Sequence, residues 1–413
     1  MRAVARAAGK HRVVVVGAGS AGLAVSHQLL RSGRFLQNEI AIIDPAAWHH
    51  YQPGWTLVGA GLKDKTDLQR PLRELIDPKL RFYHERVESF TPDTNTLTLG
   101  NGDRVHYDQL VVVPGIRIDY TSIKGLPEAL ADPHMLVSST YGYETCDKVY
   151  TSVKRLQKGT AIFTQPSGIV KCAGAPQKAM WLAMDFWRKA GLFPSAIDVH
   201  FATALPGMFG VPKYSQRLDE LRRQRGVHGH FQHDLTEVNG DKAVFSTPEG
   251  TVTKRFDFLH VVPKMGPHGF IRDSPLANKA SGLVDVDPAT TRHLNYANVW
   301  SIGDASSLPT SKTAAAITSQ APVLVDNLLQ AMDGKTPETV YDGYTSCPLI
   351  TEYGKVMLAE FKYNGEIKET FSFLGLDQGT PRRAFYHLKK DFFPWVYYKS
   401  MVKGTWAGPK GWK

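Results

Sequence analysis

The stretch Arg12-Val13-Val14-Val15-Val16 runs directly into Gly17-Ala18-Gly19-Ser20-Ala21-Gly22, and few other features restrict the fold of a chain so strongly. An apolar strand, a glycine-rich turn and a helical stretch from Leu23 to Leu30 make the opening of a βαβ nucleotide-binding unit. Gly17 permits the tight turn, Gly19 lets backbone approach a pyrophosphate, and Gly22 lets the helix pack closely, while the helix N-terminus faces the phosphates. A second strand, Glu39 to Ile43, ends at Asp44, which lies 22 residues past Gly22, where an acid accepts ribose hydroxyls. These signals predict an α/β protein that binds a dinucleotide. At 413 residues the chain exceeds one ordinary domain, so two domains and an appendage are expected.

A second set of signals says which dinucleotide. Asn298-Val299-Trp300-Ser301-Ile302-Gly303-Asp304 reads as a buried strand closing on an acid, followed by Leu308 to Lys312 and a helix from Thr313 through Leu329. Asp304 at such a strand end can bind a ribityl hydroxyl, and the next helix N-terminus can hold negative charge on a reduced isoalloxazine. The cofactor indicated is FAD. The arrangement resembles the two-dinucleotide-binding-domain flavoproteins, with Leu110-Val111-Val112-Val113-Pro114-Gly115 as the strand leaving the FAD domain. The resemblance implies two Rossmann-like domains in a glutathione-reductase-like order: residues 1–125 and 291–345 for FAD, 126–290 as the inserted domain, and 346–413 as a C-terminal amphipathic membrane-binding region. The inserted domain is expected to hold a helix over Tyr141 to Leu156 and a strand over Thr160 to Phe163. After that strand the chain reads Thr164-Gln165-Pro166-Ser167-Gly168-Ile169-Val170-Lys171-Cys172 and carries no second glycine fingerprint. A domain without that phosphate cradle implies an electron donor other than NAD(P)H.

Charge distribution removes one class of partner. The formal net charge is +10, but residues from Pro381 onward carry eight Lys or Arg against Asp391 alone, and Arg2, Arg6, Lys10 and Arg12 face no acid. The long middle is therefore near neutral, which argues against a nucleic-acid groove. In the tail, Phe385, Tyr386, Phe392, Phe393, Trp395, Tyr397, Tyr398, Trp406 and Trp412 interleave with the basic residues, the composition of a helix lying in a membrane interface. The competing reading is a helix docked on the core or in a dimer contact. No run reaches the roughly 18 apolar residues of a membrane-spanning helix. The acid-free, Arg-bearing opening Met1 to Lys10 suits the remnant of a mitochondrial transit peptide. Three cysteines are too few for a secreted disulfide scaffold. The fifteen histidines show no metal-ligand spacing, and no metal is expected.

The segments Lys171-Cys172-Ala173-Gly174-Ala175-Pro176-Gln177-Lys178, Tyr51-Gln52-Pro53, Trp55 to Gly61, Leu308-Pro309-Thr310-Ser311-Lys312 and Ser346-Cys347-Pro348 together resemble the eukaryotic, mitochondrial sulfide:quinone oxidoreductases, from about Arg12 to the C-terminus. The resemblance implies that Cys172 and Cys347 are the redox cysteines and that Ser20, Ala21, Asp44, Gln52, Val87, Lys178, Asp304 and Lys312 line the FAD site. Gly17, Gly19, Gly22, Gly115 and Gly303 complete the expected cofactor contacts. It further implies that hydrogen sulfide opens a disulfide or trisulfide between the cysteines, leaving a persulfide on Cys347 and a thiolate on Cys172. Two electrons then pass through FAD to ubiquinone, and glutathione or sulfite takes the sulfane sulfur. The expected location is the matrix face of the mitochondrial inner membrane, as a monotopic protein, with a homodimer left open. Cys146, on an apparent helix with Tyr143, Val149 and Tyr150 on the same face, reads as an inert small hydrophobe. Two rival functions stay open: a type II NADH:quinone oxidoreductase, and a non-enzymatic membrane-associated flavoprotein scaffold.

Overall fold

The computed structural model describes residues 7–406. Its central element is the strand Ala7–Val16, longer than the sequence suggests because it begins at Ala7, which pairs with Arg104. Residues Ala7 to Lys10 of the expected transit-peptide remnant are thus part of the sheet, and the rest of that segment lies outside the described residues. Val13 to Val16 are at most 2% exposed, because parallel neighbours Ile40–Ile43 and Arg104–Val112 flank them and both sheet faces are covered. The sheet runs Arg81–Tyr83, Ile40–Ile43, Ala7–Val16, Arg104–Val112, Thr96–Leu99, Val87–Thr91, and the short strand Val299–Trp300 returns to pair with Arg104–Val112. Only these two residues of the expected 298–304 strand are paired, since the chain turns into a helical turn at Gly303–Ala305.

The helix Ser20–Arg31 follows the glycine turn. A Cβ on Gly22 would lie 1.8 Å from the Gly17 carbonyl oxygen, so no side chain is tolerated where the helix crosses the strand end. Gly17 itself has φ +99°, in the left-handed region.

A second sheet of five parallel strands runs Val137–Ser138, Phe258–His260, Gly159–Gln165, Ile197–Thr203, His228–Phe231. Its helix Cys146–Arg155 starts five residues later than expected. Gly142 takes φ +122°, which stops a helix, and the Tyr141 hydroxyl is drawn off to donate to the Lys171 carbonyl at 2.8 Å. The long helix Ala175–Lys189 lies between this sheet and a two-stranded hairpin, Thr345–Glu352 with Lys355–Phe361, that carries Cys347 opposite Ala359. Their apolar residues form one core, in which Trp181, Trp187, Met180 and Leu349 are fully buried.

The tail is a chain of short helical segments from Arg383 to Met401. Phe385, Tyr386, Tyr397 and Met401 are buried in the protein, so they are not the lipid-facing rings that the composition suggests. Phe392 and Phe393 are half-buried, Trp395 is 58% exposed, and Trp412 lies outside the described residues. Among the described residues no helix is long and apolar enough to cross a membrane.

Candidate active site

The ends of both sheets, the hairpin and the tail enclose one open-mouthed cavity of about 320 Å³, within the roughly 300–1,000 Å³ of an ordinary small-molecule site. Gly19, Ser20 and Ala21 form one wall, and Cys172, Lys178, Lys171, Asp304, Lys312 and Lys389 stand around it.

The two cysteines, 175 residues apart, meet with their sulfurs 3.5 Å apart. Local structure arranges this. Cys172 sits at φ +50°, unusual for a residue with a side chain. Its backbone is pinned there by its N–H donating to the Lys312 carbonyl at 2.8 Å and its carbonyl accepting from the Ala175 N–H at 2.7 Å. A Cβ on Gly174 would lie 2.6 Å from the Cys347 sulfur and 2.4 Å from Leu349, so the absence of a side chain there is what lets the hairpin approach.

The Lys178 ammonium donates to the Cys172 sulfur at 3.3 Å. The Cys172 thiol is held well below its ordinary range, first by the hydrogen bond from Cys347 and then by the Lys178 and Lys389 charges, all against the cost of burial. Cys347 is driven the opposite way, as the donor in that bond and as a buried thiol beside a thiolate. In the reduced pair, the negative charge is therefore favoured on Cys172 and the proton on Cys347. Burial disfavours the Lys178 charge, but the adjacent sulfurs outweigh it and its pKa is raised. Replacing Lys178 with Met is expected to move the pH at which Cys172 becomes alkylatable upward by about one pH unit or more. Rates of iodoacetamide labelling across pH measure this, and an unchanged profile would show that Lys178 does not hold the thiolate.

The cavity also fits a flavin dinucleotide. The helix from Ser20 has no side-chain cap, which leaves its first N–H groups on the cavity wall for phosphate oxygens. Asp304 makes no hydrogen bond among the described residues and is raised by burial, with Lys171 and Lys312 opposing, so a ribityl hydroxyl would satisfy it. The Lys312 ammonium is lowered to about 8, mainly by burial, and donates to the Ser306 and Leu308 carbonyls at 2.6 and 3.2 Å. Gln52 accepts from Lys171 at 3.2 Å and lines the cavity, as does Gly115.

Other expected contacts fall elsewhere. Asp44 does not line the cavity; its carboxylate accepts from the Ala18 N–H at 2.6 Å and the Ala46 N–H at 2.8 Å and so braces the glycine turn. Val87 is core, 5% exposed in its strand and away from the cavity, because the pleat turns it inward. Gly17, Gly22 and Gly303 act through the backbone behind the wall, with the Gly303 N–H donating to Gln320. Lys178 touches the Cys172 sulfur as well as the cavity, a contact unforeseen for a flavin-side lysine. Cys146 is fully buried in the core of the first sheet, and burial pushes its thiol up to about 12.

Three functional side chains escaped sequence reading. Lys389 is 3% exposed, donates to the Pro53 carbonyl at 2.8 Å, and is lowered to about 7 by burial and then by Lys178. Tyr397 bonds Ser20 at 2.6 Å and His49 at 2.7 Å, placing the tail against the start of the glycine-turn helix. Lys171 faces Asp304 from beside Cys172. The spacing Phe385, Lys389, Phe393, Tyr397, Met401, one residue in four, was the available signal of a buried tail face.

Comparison with known proteins agrees with this geometry. Residues 11–321 match the family described as pyridine nucleotide-disulphide oxidoreductase. The mitochondrial sulfide:quinone oxidoreductase of Schizosaccharomyces pombe is 47% identical over 97% of this chain and 92% of its own length. This chain belongs to the sulfide:quinone oxidoreductase family. Another member, the mitochondrial enzyme of Mus musculus, is 40% identical over 97% of this chain and 88% of its own. The crystal structure of the sulfide:quinone oxidoreductase from Aquifex aeolicus superposes with a TM-score of 0.80 at 18% identity, covering 94% of this chain and 92% of that one, which shows the shared fold. As members of this family are FAD flavoproteins, the cofactor named for the cavity is FAD.

Proposed function

We propose that this chain oxidises hydrogen sulfide at the Cys172 and Cys347 pair, hands the sulfane sulfur to glutathione or sulfite, and delivers two electrons through FAD to ubiquinone. Its family membership makes it an FAD-dependent sulfide:quinone oxidoreductase; the assignment of steps to residues is the proposal. The observation that carries it is the pair of sulfurs 3.5 Å apart beside the Lys178 ammonium, on the wall of the cavity that the start of the glycine-turn helix also lines.

Hydrosulfide is an anion, and Lys171, Lys178 and Lys389 make this part of the cavity attractive to it. Two sulfur–sulfur bonds of about 2.05 Å each span a gap of this size when one sulfur stands between the cysteines, as in a trisulfide, whereas a disulfide draws the two sulfurs together to about 2.05 Å. Attack of hydrosulfide on the Cys347 sulfur forms a new S–S bond there and breaks the bridge, leaving the electron pair on the Cys172 sulfur of a disulfide, or on the bridging sulfur still bonded to Cys172 in a trisulfide. Lys178 stabilises the thiolate so released, and Cys347 keeps the outer sulfur for the acceptor. Once the acceptor has taken the sulfane sulfur, re-forming the bridge between Cys172 and Cys347 releases two electrons, which bound FAD would accept and relay to quinone.

Pro348, Leu358, Phe371, Leu388, Phe393 and Val396 give the cavity an apolar side suited to a quinone ring. The segments that contribute Phe371 and Phe393 also expose Phe373 (78%), Leu374 (60%) and Trp395 (58%), which supports seating of the mouth on a bilayer. Relatives named as mitochondrial support a mitochondrial location, and the inner membrane's matrix face is the proposed site within it.

An anaerobic titration tests the reading against the NADH-dependent rival. Sulfide is expected to bleach the flavin of the holoenzyme and NADH to leave it oxidised; bleaching by NADH alone would overturn the proposal, and bleaching by neither would favour a scaffold.

A further inference from the structure

The far edge of the second sheet carries chemistry that the sulfide reaction does not use. The parallel register of Ile197–Thr203 with His228–Phe231 sets His200 opposite His228 and Ala202 opposite His230. Residues two apart in a strand share a face, so Asp198, His200, His228 and His230 stand together on one side, and none of them lines the cavity. The donor atoms of Asp198, His200 and His228 all lie within 4.8 Å of one another. Asp198 holds both rings, Oδ2 at 2.7 Å from His200 Nε2 and Oδ1 at 3.1 Å from His228 Nε2. No histidine spacing in the sequence indicated such a group, because the two halves come from strands 28 residues apart and only strand pairing joins them.

We propose that Asp198, His200 and His228 form a binding site for a divalent transition-metal ion, with His230 as its supporting partner. Two imidazoles and a carboxylate are the donor set of zinc- and nickel-type ions. Such an ion, with bonds of about 2.0–2.2 Å, holds its ligand atoms roughly 3.3–3.5 Å apart, and the three donor atoms here lie within 4.8 Å of one another. The support is the feature most specific to a metal site. His200 Nδ1 lies 2.8 Å from His230 Nε2, and metal-bound histidines characteristically donate their second ring N–H to a fixed acceptor. With that proton on His200 Nδ1, the His200 Nε2 lone pair faces the Asp198 carboxylate at 2.7 Å, two acceptors that only a cation or a proton reconciles.

Lys254 lies close enough to His200 and His230 for its charge to act on both rings. Lys254 also repels an incoming cation, which the Asp198 charge offsets. A bound ion would tie the edge strand to its neighbour and leave a coordination position open to solvent.

The test is calorimetric titration of Ni2+ alone into the FAD-loaded full chain, with X-ray absorption of the nickel-bound sample. One Ni2+ per chain is expected at this site, with a nitrogen and oxygen shell free of sulfur. Binding should be lost in His200→Ala, lost or strongly weakened in the solvent-exposed His228→Asn, and weakened about 10–100-fold in His230→Ala. A sulfur-containing shell would assign the ion to the cysteines, and equal binding by wild type and His228→Asn, or none by wild type, would leave the group a proton-sharing network only; each overturns the proposal.

Discussion

Serine in place of Cys172 or of Cys347 is expected to lower the rate of sulfide-dependent flavin reduction by at least about 10³-fold, the scale of removing a covalent-catalysis residue. The two sulfurs lie 3.5 Å apart, and the Lys178 ammonium meets Cys172 at 3.3 Å. A hydroxyl cannot form the bridge that hydrosulfide opens, and it does not ionise in the range to which this site brings a thiol. Either replacement therefore removes the bridge, and with it both an electrophilic sulfur and the thiolate that opening the bridge would release. FAD content is expected to stay close to wild type, since serine is nearly isosteric and the glycine turn, Asp304 and Lys312 are untouched. Anaerobic stopped-flow mixing with sulfide measures the rate, and bound flavin absorbance checks the loading. Bleaching of Cys172→Ser at the wild-type rate would remove Cys172 from the reaction; loss of flavin in both variants would mean that the sulfurs hold the fold instead. Cys146→Ser is the control, because that thiol sits in another core and is expected to leave the rate unchanged.

What could be read in the sequence follows from how local the determinants are. The glycine turn was legible because Gly17, Gly19 and Gly22 act on their own strand and helix, and the Gly22 contact is with Gly17 itself. The acid at Asp44 was legible as an acid in the right place, but its partners are the backbone N–H groups of Ala18 and Ala46, a choice made by side-chain rotation that spacing does not encode. The meeting of Cys172 and Cys347 depends on a hairpin 175 residues away docking against Gly174, so only resemblance to a family indicated it. Val87 came from resemblance without support from its surroundings and packs in the core. The histidine cluster shows the same limit: alternation at Asp198 and His200, and again at His228 and His230, is visible in the chain, yet the register that joins them is tertiary.

Removing the chain from Pro381 onward is expected to abolish stable FAD retention, and with it sulfide oxidation, instead of impairing quinone turnover alone. Composition suggested a separable membrane anchor, but the tail supplies part of the cavity wall: Leu388, Lys389, Phe393, Val396, Tyr397, Met401 and Trp406 all line it. Tyr397 bonds Ser20 at the first turn of the glycine-motif helix, and the Val402 carbonyl lies 2.6 Å from His27 Nδ1 on the same helix. Deletion would bare the buried faces of Phe385, Tyr386, Tyr397 and Met401's neighbours in the core, each apolar side chain worth about 1.5–3 kcal/mol of burial. It would also take away Lys389, whose charge helps to keep Cys172 ionised. Membrane contact is separable by a smaller change, Trp395→Asp, at a ring that is 58% exposed and, among the described aromatic side chains, packs against Phe392 alone. That variant is expected to keep FAD and bleach with sulfide at the wild-type rate while turning over more slowly with ubiquinone in vesicles. Gel filtration followed by flavin absorbance, with quinone assays on vesicles, separates the two results. A truncated protein that holds its flavin and reduces it with sulfide normally would return the tail to the role of a detachable anchor.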